Sequence, residues 1–230
     1  MSKKKLKKEL KKKVKVNYCV ELHKHIIMKE PYLIQHMKIQ PIEFCKLLIE
    51  QNSWSIKYIR DQTPELCKLA IERNPNNIRH IRNQTEELCK FAIERSASAI
   101  QYIINQTEDI CKHAIRFDSY SIKYIKNQTP ELCRLAINKN GWSIQHIKDQ
   151  TEEFCKLAIM DSCTSIQFIK NQTEEICKYS IIQLPGTIKY IRKPTKELCI
   201  LAIELSSNAI NYINKNKFPE AHEYWRLLYG

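Results

Sequence analysis

Apolar residues recur along this chain at a fixed interval of 22 residues. Cysteine occupies one column without a slip: Cys45, Cys67, Cys89, Cys111, Cys133, Cys155, Cys177 and Cys199. Isoleucine holds a second column from Ile27 through Ile49 and Ile71 to Ile203, and a third from Ile34 through Ile56 and Ile78 to Ile210. A fourth column starts at Met37 and is isoleucine from Ile59 to Ile213. A constant period of this length is the signature of a repeat array, in which one supersecondary unit is copied along the chain.

Within one period the pattern predicts two short helices. Leu66, Cys67, Leu69, Ala70 and Ile71 fall on one side of a helix at helical spacing. Thr63, Thr85, Thr107, Thr129, Thr151, Thr173 and Thr195 precede these apolar runs, and a threonine hydroxyl there accepts from a free backbone N–H of the first turn. Pro64 and Pro130 sit at the first helical position, where a missing N–H is harmless. Glu65, Glu87, Asp109, Glu131, Glu153, Glu175 and Glu197 complement the positive end of the helix dipole. A second, shorter helix is predicted over Trp54–Arg60 and again over Asn76–Arg82, with Ile78 and Ile81 pointing the same way.

Isolated helices of this length are marginal in water, so stacking must stabilise them. The expected fold is therefore all-α: an α-solenoid of about nine 22-residue, two-helix repeats over residues 17–217. Residues 19–40 stay in frame as a first unit, with His23 in place of the cysteine. Residues 218–230 read as a C-terminal capping helix whose Tyr224, Trp225, Leu227 and Leu228 cover the last repeat. Residues 1–16 read as a basic, lysine-rich tail, either flexible or a helical extension of the first unit.

Composition narrows the class. Hydrophobic residues make up 43% of the chain and there are only 3 glycines, which argues against a loop-rich or β-rich fold. No apolar run approaches the ~20 residues of a membrane span. The leading lysines are not followed by an apolar segment of the kind a secretory signal carries. The expectation is an intracellular, cytoplasmic protein without a membrane span, with nuclear entry through the lysine-rich tail as the alternative. The formal net charge of +13 is unevenly placed: nine lysines against Glu9 give residues 1–16 a net +8, leaving +5 for the rest. Net charge alone is thus weak evidence for a nucleic-acid partner.

The segments LAIERNPNNIRHI (Leu69–Ile81) and LAINKNGWSIQHI (Leu135–Ile147) resemble a family of short α-helical repeats of unknown function, abundant in giant DNA viruses of amoebae. The likeness spans residues 19–217 and rests on the string N-Q-T-[PE]-E-[LIF]-C-K-x-A-I. It implies stacked short helices and a viral or amoebal intracellular setting, and brings no activity or site residues with it. Only Gly141 matches the family's turn glycine, so the other turns must close with Asn, Ser or Asp.

The candidate chemistry is sparse. Successive cysteines of the ladder are one repeat apart, too far for a disulfide, and occupy the apolar side of the first helix. They read as reduced, buried, small apolar residues; Cys163 and Cys19 fall outside the ladder. His36, His80 and His146 alternate in one column with Tyr58, Tyr102, Tyr124, Phe168, Tyr190 and Tyr212, a pattern that asks for a flat ring and not for a base. No catalytic constellation, metal-ligand set or cofactor motif stands out, so no enzyme is expected.

Two cationic columns remain. Lys24, Lys46, Lys68, Lys90, Lys112, Arg134, Lys156 and Lys178 have the spacing of intrahelical ion pairs with flanking acids. Lys57 and Arg60, Arg79 and Arg82, Lys123 and Lys126, and Lys189 and Arg192 stand three apart on the second helix, and Lys148 and Lys170 continue the row. With Trp54, Tyr120 and Trp142 at its edge, this stripe is the candidate binding surface. The tail lysines Lys3, Lys4, Lys5, Lys7, Lys8, Lys11, Lys12 and Lys13 are a further candidate for diffuse electrostatic attraction. The favoured reading is a scaffold that binds another protein. The rival is a nucleic-acid binder using the stripe and the tail.

Overall fold

The computed structural model describes residues 27–230. The lysine tail, Cys19, His23, His25 and Lys24 lie outside the described residues. The chain clusters into two compact units, one running to Asn105 and the other covering Gln106–Gly230. Each is an all-helical stack of the predicted repeats, with no strand among the described residues.

The leading helix of each repeat is α-helical and ten residues long, as in Pro64–Arg73, Glu86–Arg95, Pro130–Lys139 and Glu152–Asp161. The threonine caps form as expected: Thr63 Oγ1 accepts from the Leu66 N–H at 3.4 Å, and the same bond recurs at all seven threonines. The buried stripe of Pro64–Arg73 is Leu66, Cys67, Ala70 and Ile71.

The second helix differs from expectation in type and length. It is a six-residue 3₁₀ helix, Ser53–Tyr58 and Pro75–His80 in the first unit, ending two residues before Arg60 and Arg82. Over so short a span the tighter i→i+3 bonding pairs more backbone groups than an α-turn would, and it closes with Ile81 N–H donating to Ile78 O at 3.1 Å. Ile81 is then extended, and with Ile78 it is buried.

The two helices meet through a single extended residue, at Asn52, Asn74, Ser96, Asp118, Asn140, Ser162, Leu184 and Ser206, with φ near −145 to −161. Among the described residues none has positive φ, so the turn needs no glycine and tolerates even Leu184. Gly141 is required for a different reason. A Cβ there would come within 2.6 Å of Ala158 O, and its N–H donates to Asp161 Oδ2 at 2.6 Å.

The C-terminal helix Pro219–Tyr229 meets the last repeat through two of the four predicted residues, Tyr224 and Trp225, together with Ala221 and Tyr229. Ala221 is buried, Trp225 Nε1 donates to Ser207 O at 3.0 Å, and Tyr229 Oη donates to Ile203 O at 3.3 Å. Tyr224 reaches Glu204, whereas Leu227 is 81% exposed, because the helix turns that face outward. Among the described residues no helix is long and apolar enough to cross a membrane.

Candidate functional site

The repeat is held in register by a glutamine that local pattern does not single out. In the first unit, Gln62 Nε2 donates to Ile56 O and His80 O, both at 2.9 Å, while its Oε1 accepts the Arg82 N–H at 2.9 Å. One side chain thereby ties its own 3₁₀ helix to the end of the next. Gln84 makes the same three bonds in the first unit; Gln128, Gln150 and Gln172 do so in the second. Only an amide supplies two donors and an acceptor on one short arm. The signal was present as a perfect Gln column from Gln40 to Gln172, broken only by Pro194.

The cysteine ladder is structural. All eight members are buried, and Cys67 Sγ leans on Gln62 O at 3.5 Å. Burial pushes the thiols of Cys67, Cys89, Cys111, Cys155 and Cys199 up to about 11, far from a reactive thiolate. Cys163 is half-exposed.

The first cationic column makes ion pairs, but not only within its own helix. Lys90, Lys156 and Lys178 pair with a glutamate four residues earlier, while Lys68 reaches Glu87 and Arg134 reaches Glu153 in the following repeat. Lys112 does both, and Lys46 pairs with Glu43 three residues earlier and with Glu65 in the following repeat. These exposed pairs are each worth under ~1 kcal/mol.

The expected single stripe resolves into two rows with different work. The later residues lie beyond the 3₁₀ helix; Arg60 is exposed, while Arg82, Lys148, Lys170 and Arg192 turn back onto backbone carbonyls. In the first unit Arg82 donates to Arg60 O at 2.7 Å and to Ile59 O at 3.0 Å. In the second, Lys148 donates to Lys126 O at 2.8 Å, Lys170 to Ile147 O and Lys148 O at 3.0 Å, and Arg192 to Lys170 O at 2.8 Å. They cap the helix ends of the preceding repeat. The sequence spacing treated both rows as one helical face, and the early end of the helix separates them.

The earlier row lies on aromatic rings instead. In the first unit Lys57 Nζ sits 4.3 Å from the Trp54 ring centroid and 4.6 Å from that of Tyr58, and the Arg79 guanidinium lies 3.9 Å from the Tyr102 centroid. Tyr32 meets Tyr58 edge-on at 6.5 Å, and Trp54 meets it at 5.7 Å. In the second unit Lys123 lies over Tyr124, and Lys189 over Tyr190 and Tyr212. Trp142 and Tyr120 serve repeat packing there: Trp142 Nε1 donates to Ser162 and Thr164 at 3.1 Å, and Tyr120 stands edge-on to His146 at 5.4 Å.

The nine 3₁₀ helices among the described residues contain no Asp or Glu. Acidic residues stand at their edges, where Glu30 accepts from Tyr32 Oη at 2.7 Å and Asp118 caps Ser119–Tyr124. His80 is held below the usual imidazole range by burial and then by Arg79 and Lys57; burial and Lys123 depress His146, against a smaller opposing effect of Asp118. No family model, curated protein or solved structure matches the chain.

Proposed function

We propose that this protein is a non-enzymatic scaffold that binds another protein through the face formed by its 3₁₀ helices. The observation that carries the reading is the combination on the 3₁₀ helices of ring floors, cations laid over them and no acidic residue within the helices themselves. Trp, Tyr and Arg are the side chains that concentrate binding energy at protein interfaces. The opposite dressing, on the leading helices, is ion-paired and self-satisfied. The residues with chemical reach support packing: the ladder thiols are buried and His146 stands edge-on to Tyr120.

Nucleic-acid binding through the later cations is the second reading, motivated by the row Lys126, Lys148, Lys170 and Arg192. It is the weaker one, because Lys148, Lys170 and Arg192 already donate to carbonyls. Capture of partners from the native source separates the two. Protein that survives nuclease treatment and is lost with Lys57→Glu/Arg79→Glu supports the scaffold reading. Capture abolished by nuclease would transfer the function to the nucleic-acid reading.

A further inference from the structure

Resting on that scaffold reading, we infer that the face of the first unit built by Trp54, Lys57, Tyr58, Arg79 and Tyr102 takes an acidic, proline-rich segment in the polyproline II conformation.

Charge selects the ligand first. Three consecutive 3₁₀ helices, Ser53–Tyr58, Pro75–His80 and Ala97–Tyr102, present Lys57 and Arg79 with no carboxylate of their own. Both side chains are exposed. Arg79 Nε donates to Asn76 O at 3.1 Å, which fixes the guanidinium over Tyr102 with its terminal amino groups directed to no acceptor among the described residues. A carboxylate is the natural occupant of such a fork.

Ring geometry selects against the other anionic class. Lys57 covers Trp54 and Tyr58, and Arg79 covers Tyr102, so a nucleobase would have to displace a cation before it could stack. Trp54 and Tyr32 remain 40% and 44% exposed and frame a ridge on which a proline ring can pack.

Spacing selects the conformation. Lys57 and Arg79 are one repeat apart, and packed helices lie ~8–10 Å from one another. A polyproline II chain turns once every three residues with a rise of ~3.1 Å, so its every third side chain returns to the same side after about 9 Å. Acidic residues at every third position, with prolines between, therefore meet successive repeats in register.

The test uses the full chain and synthetic decapeptides in fluorescence anisotropy at moderate salt. The probe carries glutamate at every third position and proline elsewhere. One control has the same composition with its glutamates clustered at one end; another has glutamine for glutamate. The spaced peptide is expected to bind about tenfold more tightly than either control, and Lys57→Gln or Arg79→Gln each to weaken it by about tenfold, the loss of one charge-assisted contact. Lys68→Gln should leave binding unchanged, and melting curves of all variants should coincide, since these side chains are exposed or half-exposed. Equal binding of spaced and clustered peptides would overturn the inference by reducing it to diffuse attraction. An oligothymidylate that binds with the same dependence on Lys57 and Arg79 would overturn it in favour of nucleic acid. If the peptides fail while protein capture still depends on these residues, only the ligand class falls; if capture is indifferent to them, the scaffold reading falls as well.

Discussion

Replacing Gln128 by alanine removes three hydrogen bonds that connect two repeats of the second unit. The amide donates to Ile122 O at 2.9 Å and His146 O at 3.0 Å, and accepts the Lys148 N–H at 2.9 Å. All three groups lie in part-buried or exposed positions where water can partly replace the amide. At about 1 kcal/mol net for each bond, the substitution should cost about 3 kcal/mol. Urea unfolding reads the global effect, and hydrogen exchange reads the local one, because the Lys148 amide should lose protection before its neighbours. Gln128→Glu sharpens the test. A carboxylate still accepts from Lys148 but faces two carbonyl oxygens with no proton to give them. Its folded pKa should rise above the unfolded value of ~4.3, so the variant is least stable at neutral pH and recovers as pH falls through the folded pKa. An alanine variant within half a kcal/mol of the parent, or a glutamate variant equal to glutamine at pH 7, would refute the assignment of this column as the inter-repeat tie.

Four further outcomes are expected. Pro194 stands where the ladder requires glutamine, so Pro194→Gln should stabilise the C-terminal repeats by ~1–2 kcal/mol and slow exchange of the Asn214 amide. The buried hydroxyls of Ser121 and Ser143 have no partner while Ala99 fills the same column, so Ser143→Ala should be neutral or stabilising by up to ~1 kcal/mol in urea unfolding; Thr187→Ala, which loses a 2.7 Å bond to Leu184 O, should destabilise. Alkylation at pH 8, mapped by mass spectrometry, should modify Cys163 well before any member of the buried ladder, whose thiols burial pushes up, those of Cys67 and Cys89 to about 11. The depressed pKa values of His80 and His146 make the neutral rings part of the fold, so stability should be complete above ~6.5 and decline as pH falls through that value toward the folded pKa; NMR titration of Arg79→Ala should show His80 moving upward.

Expectation and structure part along one physical line. Whatever depended on local pattern was legible: the period, the threonine caps, the buried Cys and Ile columns and the ring column. Each follows from the identity of a residue and its distance to the next turn of its own helix. Whatever depended on where a long polar side chain lands was not. Gln62 and its equivalents carry no local signal of their role, although their column is nearly as regular as the cysteines, because their partners lie 18 and 20 residues ahead. Arg82 and Lys170 looked like members of a surface stripe, and their acceptors proved to be carbonyls one repeat back.

The amino-acid sequence by itself determined that this chain is an array of short helical pairs, since a 22-residue recurrence of apolar positions admits burial only by stacking. The tertiary structure alone decided that the second helix is 3₁₀, that glutamine amides join the repeats, and that one cationic row caps carbonyls while the other lies on rings. Periodicity reports which side of a helix avoids water. The ends of long, flexible polar side chains are placed only when a neighbouring backbone arrives to receive them.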